Sequence, residues 1–163
     1  MFPGTFDPPT NGHADIMMRA VRMFEHLDVV ISVNPQKSTI FSPEERVEMI
    51  QSIVGGMQNV SVHTWEGLIV DFAAKMQTRI ILRGVRALTD FNYEFELSMM
   101  NRALSQNIET VFLPTDQKYF VLRSSTIKEI ARYHGDISKM VPSVVAAYLK
   151  SKFENLDISA QTE

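Results

Sequence analysis

The sequence predicts a doubly wound α/β domain, a parallel five-stranded sheet with helices on both faces. Three observations carry that prediction. Short β-branched apolar runs alternate with longer amphipathic segments along the chain. The runs are short and β-branched, as buried parallel strands tend to be. The length of 163 residues suits one such domain, and no internal repeat divides it.

The elements follow in order. A short first strand ends near Gly4 and leads into "PGTFDPPTNGH" (3–13), which has no apolar periodicity and reads as a shaped loop. "ADIMMRAVRMFEH" (14–26) is an amphipathic helix, and "LDVVISV" (27–33) is the second strand. "SPEERVEMIQSIV" (42–54) opens with Ser42 as N-cap, Pro43 at the first helical position and Glu45 closing a capping box. "NVSVH" (59–63), "RIILR" (79–83) and "ETVFL" (109–113) are the remaining strands. "LIVDFAAKM" (68–76) and "DFNYEFELSMMNRALS" (90–105) are helices between them. "SSTIKEIARYHG" (124–135), with Gly135 as C-cap, and "PSVVAAYLKSKF" (142–153) close the domain. Residues 154–163 read as a disordered tail, so the single domain spans 1–153.

Sixteen Lys and Arg against nineteen Asp and Glu leave a net charge of −3, the wrong sign for a general nucleic-acid binder. With no cysteine there is no disulfide, thiolate metal site or thiol nucleophile, which fits a cytoplasmic protein. No stretch has the length of a membrane span, and no signal-peptide core follows Met1. The ten methionines read as adaptable core packing.

In doubly wound sheets ligands bind beyond the C-terminal ends of the strands, at the switch point of strand order. Four loops there carry unusual chemistry. In the first, Gly4 permits close backbone approach, Thr5 supplies a hydroxyl, and His13 adds a donor at the first turn of a helix, where N–H groups favour an anion. The second, "NPQKSTIFSPEER" (34–46), carries Lys37 as a flexible cation at the sheet edge. The third, "RGVR" (83–86), sets two arginines around Gly84. The fourth, "KYFVLRSSTIKE" (118–129), places Ser124 and Ser125 at a helix start, as caps or as a phosphate clamp.

The first stretch resembles the nucleotide-binding signature of the nucleotidyltransferase superfamily. "NPQKSTIF" (34–41) and "RGVRALTDFNYE" (83–94) are similar to the bacterial phosphopantetheine adenylyltransferase family, and the resemblance covers almost the whole chain. It implies a Rossmann-like nucleotidyltransferase fold, and adenylyl transfer from ATP to 4′-phosphopantetheine. It also implies Mg²⁺ carried on phosphates with few protein ligands, a homohexamer, and feedback inhibition by coenzyme A. By resemblance the catalytic group is Thr5, His13, Lys37 and Arg86, and the acceptor contacts Thr5, Lys37, Ile69 and Arg83. ATP contacts Thr5, Phe6, His13, Gly84, Val85, Arg86 and Glu94, then Tyr119, Phe120, Val121, Leu122, Arg123, Ser124 and Ser125. Arg123 stands where the family usually has a Ser, and Tyr119 where it commonly has a Trp able to stack on adenine. The family also carries several apolar residues ahead of Pro-Gly-Thr-Phe where this chain has Met1 and Phe2, which implies a native start before Met1. Nicotinate or nicotinamide mononucleotide adenylyltransferases share the first and fourth loops, and cytidylyltransferases and class I aminoacyl-tRNA synthetases part of the logic. A nucleotide-binding module without turnover is the alternative from another class.

Overall fold

The computed structural model describes the chain from Met1 to Ala160. β1 (Phe2–Gly4), β2 (Leu27–Val33), β3 (Val60–Glu66), β4 (Ile80–Val85) and β5 (Glu109–Pro114) are all parallel to their neighbours. They form a three-stranded sheet, β1-β2-β3, and a two-stranded one, β4-β5. The two meet edge to edge beside β1. Leu82 N–H donates to the Met1 carbonyl and the Met1 amino group to the Ile80 carbonyl, each at 2.8 Å. The combined order is β3-β2-β1-β4-β5, which puts the reversal of winding between β1 and β4.

Successive strand residues face opposite ways, and the two cores follow from that. Val29, Ile31 and Leu82 pack under Ile16, Met17 and Ala20 of α1 (Asn11–Met23) and Ile50 of α2 (Pro43–Ile53). Val30 and Ile81 face the other side, against Val70, Phe72 and Ala73 of α3 (Ile69–Lys75). α4 (Leu88–Leu104) lies against β4 and β5, with the Phe91 and Phe112 rings 5.1 Å apart. A third cluster joins α2 to α5 (Ser124–Arg132) and α6 (Ser143–Ala160) through Phe41, Met49, Ile127, Val145 and Leu149.

The α2 cap forms as its sequence predicts. Ser42 Oγ accepts from Glu45 N–H, and the Glu45 carboxylate accepts from Ser42 N–H at 2.7 Å. Three expectations need correction. Arg123, not Ser124, is the N-cap of α5, so both serines lie inside the first turn. After α5 the left-handed position falls on His134 (φ 57°), while Gly135 is needed because a Cβ there would meet Ile130 Cγ2 at 2.6 Å. α6 continues as helix to Ala160, into the stretch expected to be a tail, and residues 161–163 lie outside the described residues.

Candidate active site

The loops after β1, β2, β4 and β5 converge on a cavity of about 870 Å³ at the switch point. His13 is the third residue of α1, and its ring is fixed by the cap of that helix. Thr10 Oγ1 accepts from His13 N–H at 3.3 Å, and Thr10 N–H donates back to His13 Nδ1 at 3.0 Å. A ring nitrogen that accepts a hydrogen bond carries no proton, so in the neutral imidazole the proton sits on Nε2. Nε2 has no protein partner among the described residues, and His13 lines the cavity.

Phe6, at φ 50°, turns its ring between Phe2 and His13, 5.1 Å from the imidazole. Gly4 makes room for that ring, since a Cβ there would lie 2.8 Å from Phe6 Cζ. Gly4 also lines the cavity, so the close approach of a ligand expected of it and the packing of Phe6 both bear on this position. Gly84 lines the cavity and also lets α1 approach β4, a Cβ there meeting Ile16 Cγ1 at 3.3 Å.

Burial, then the charges of Arg86 and Arg83, lowers the His13 pKa to about 4. The imidazole is therefore neutral across the physiological range. The folded pKa lies below the unfolded value of 6.5, so between the two the unfolded chain binds the extra proton. The stability linked to this group is present above pH 6.5 and is lost as pH falls toward about 4. In a ¹H–¹⁵N spectrum of the free protein, His13 is expected to be the Nε2–H tautomer and to titrate near 4. Titration near 6.5 would contradict this environment.

β4 runs on to Val85, so Arg83 and Gly84, expected in a loop after a strand, lie within the strand and Arg86 just beyond it; both arginines have carboxylate partners on α4. Arg83 Nε and Nη2 each donate to Glu94 at 2.6 Å, and Nη1 donates to the Pro3 carbonyl at 2.6 Å. Arg86 Nε donates to Asp90 at 2.9 Å and Nη1 to the Leu122 carbonyl at 2.6 Å. A planar guanidinium can bridge a carboxylate and a carbonyl at once, which here couples β4 to β1 and to the β5–α5 loop. Ser124 Oγ donates to the Pro8 carbonyl at 2.9 Å, joining the start of α5 to the first loop. Lys37 is exposed in the β2–α2 loop, lines the cavity, and has no ion pair among the described residues.

The cavity thus gathers Thr5, Phe6, His13, Lys37, Arg83, Gly84, Arg86, Glu94, Leu122, Arg123, Ser124 and Ser125. Five expected residues lie elsewhere. Ile69 is the first residue of α3 and packs against the second core, and Val85 ends β4 outside the cavity lining. Tyr119 ends a 3₁₀ turn (Gln117–Tyr119) under the Lys118 ammonium, 4.8 Å from its ring, with exposed Phe120 and Val121 following; none of the three lines the cavity.

Sequence reasoning missed Asp7, Arg46, Asp90 and Lys128. Asp7 is 5% exposed and Arg46 2%. Arg46 donates to the Thr5 carbonyl at 2.9 Å and to the Ser42 carbonyl at 3.2 Å, holding the first loop against α2. Asp7 carried a signal: an acid inside an anion-binding turn repels the ligand unless a cation holds it. Arg46 carried none, because "EER" in a helix reads as a solvated face.

Comparison with known proteins agrees with this geometry. The cytidylyltransferase-like family model matches residues 1–130. Two proteins of Leptospira biflexa serovar Patoc, strains Patoc 1/Ames and Patoc 1/Paris, are called phosphopantetheine adenylyltransferase. Each is 46% identical over 153 residues, covering 94% of this chain and 96% of the relative. This chain belongs to the bacterial phosphopantetheine adenylyltransferase family. A crystal structure of a candidate nicotinate-nucleotide adenylyltransferase from Vibrio parahaemolyticus superposes with a TM-score of 0.62 at 16% identity, covering 91% of this chain and 95% of that one. At that identity the likeness speaks for the fold.

Proposed function

We propose that this cavity transfers the adenylyl group of ATP to 4′-phosphopantetheine, giving dephospho-coenzyme A and pyrophosphate. The single observation that carries the reading is a neutral imidazole, its Nε2–H facing a cavity rimmed by Lys37, Arg83 and Arg86. A phosphate oxygen of the acceptor attacks the α-phosphorus as the bond to the bridging oxygen of pyrophosphate breaks in line. The acceptor phosphate is already ionised near neutral pH, so no general base is needed. The protein contributes position and charge stabilisation.

Thr5 and His13 donate to the α-phosphate as its oxygens gain charge. Lys37 and Arg83 hold the acceptor phosphate. Arg86 and the first turn of α5, with its N–H groups and Ser125, hold the β- and γ-phosphates. The Arg123 guanidinium makes no hydrogen bond or ion pair among the described residues and adds a cation at the same helix start.

Mg²⁺ is expected to find few protein ligands here, since among the described residues no three potential ligands cluster and Asp7, Asp90 and Glu94 are bound to cations. It is proposed only as the companion ion of ATP, and no step is assigned to it. Coenzyme A, built on the product's scaffold, is proposed to compete for the cavity as a feedback inhibitor. α4 exposes Leu88, Phe95, Met99, Met100 and Leu104, an apolar surface that supports association of copies into a homohexamer. Among the described residues no helix is long and apolar enough to cross a membrane, and a cytoplasmic site of action is proposed.

Pyrophosphate release from ATP with 4′-phosphopantetheine tests the reading directly. Release with nicotinate mononucleotide instead, or with CTP in place of ATP, overturns it.

A further inference from the structure

Among the described residues, the buried polar or charged side chains are Asp7, Thr10 and Arg46, and all three surround the first loop. Burying such groups is costly unless they are fully bonded, so each requires a reason. Thr10 fixes the His13 ring and Arg46 holds the Thr5 carbonyl. Asp7 is the anomaly: Asp90 and Glu94 also line the cavity, but Asp7 is the carboxylate buried there, beside cations that suit phosphates.

Its bonds account for it. Oδ1 accepts from Phe41 N–H at 3.0 Å, and Oδ2 accepts from Ile40 N–H at 3.2 Å and from Lys128 Nζ at 2.7 Å. Ile40 and Phe41 end the loop that carries Lys37. At its start that loop is turned by Asn34, whose carbonyl accepts from Lys37 N–H at 3.0 Å and whose side chain accepts from Gln36 N–H at 2.9 Å. Between these anchors, residues 36–38 are exposed. Phe41 itself is 1% exposed in the α2–α5–α6 cluster. A loop held only at its start would let the Lys37 ammonium range over several ångströms. Asp7 closes the other end, from the same turn that carries Thr5.

We propose that Asp7 is a positioning residue for the acceptor phosphate, clipping the Lys37 loop to the Thr5 turn through the Ile40 and Phe41 amides. Lys128 neutralises the carboxylate from α5, so that Asp7 can stand beside phosphates without repelling them. The Thr5 turn, the Lys37 loop and α5 are thereby held in one frame. The inference rests on the reading of Lys37 as the cation that meets the acceptor.

The experiment is Asp7→Asn, which keeps the shape but leaves one oxygen where two are needed. The KM for 4′-phosphopantetheine is expected to rise at least about tenfold, the loss of one charge-assisted bond, with the KM for ATP within about threefold. Amide exchange at Ile40 and Phe41 is expected to quicken in the free protein. In a Lys37→Ala background the same change should add less than about twofold, because its effect passes through Lys37. Equal rises in both KM values, an unchanged acceptor KM, or full additivity with Lys37→Ala overturns the proposal. Should the variant not fold, the wild-type protein decides: Ile40 and Phe41 amides are expected to be protected while the Ser38 amide between the two anchors is not, and equal exchange overturns it. A wild-type protein that releases no pyrophosphate overturns the functional reading instead, and the exchange data still report on the clip.

Discussion

His13→Ala is expected to lower kcat about 10²–10³-fold while ATP affinity stays within a few-fold, the size found for one preorganised donor. The split follows from where the donor points. Charge on the α-phosphate oxygens grows only as the acceptor attacks, so a bond to them strengthens in the transition state and contributes little to binding. The ring is prepared for that before substrate arrives: Thr10 N–H occupies Nδ1, burial and two arginines keep the ring neutral, and Phe6 packs against its face. A neutral imidazole donates through Nε2–H without the solvation cost of a charged ring in a cavity that already holds cations. Stopped-flow measurement of a single turnover, with ATP binding measured apart, separates the two effects. A single-turnover rate within a few-fold of wild type would remove His13 from the chemistry. A loss of ATP affinity matching the loss of rate would make it an ordinary binding residue.

How far the sequence carries this site depends on the range of each contact. The place of His13 at the first turn of a helix was legible, and so was the Ser42–Glu45 cap of α2, since its partners are three residues apart and helix geometry alone brings them together. The Thr10–His13 cap has the same spacing but was not read, because Thr10 was placed in the turn before the helix. Strand order was legible in kind, since alternation of strand and helix leaves few windings. Contacts between distant residues were not legible. Arg83 reaches the Pro3 carbonyl, and Lys128 reaches Asp7 across most of the chain. No local period encodes either contact. Read alone, Glu94 was a helix-surface charge; the fold turns it onto Arg83 because β4 and α4 are adjacent. Gly4 was legible as a glycine that must be small, though not for the reason that the packed structure gives: an aromatic ring lies where its side chain would be.

Lys37→Ala is the second large effect expected, lowering kcat/KM for the acceptor about 10–10²-fold, as loss of a charge-assisted bond does. The cations of the cavity differ in what already holds them. Arg83 and Arg86 are each bonded to a carboxylate at 2.9 Å or less, and Lys128 to Asp7 at 2.7 Å. Removing one of those leaves an acid without its partner, so lost activity would be entangled with lost stability. Lys37 is exposed and has no ion pair among the described residues, and its removal strands nothing. Its melting temperature should therefore match wild type, since surface changes of this kind stay within about 0.5 kcal/mol. Lys37→Arg is expected to recover only part of the activity, because a planar fork cannot reproduce a compact ammonium at the same point. Raising the ionic strength should weaken acceptor binding in wild type more than in Lys37→Ala, since an exposed charge is screened within about 8 Å at physiological salt. If the alanine variant keeps wild-type kcat/KM, or shows the same salt dependence, Lys37 does not meet the acceptor's phosphate.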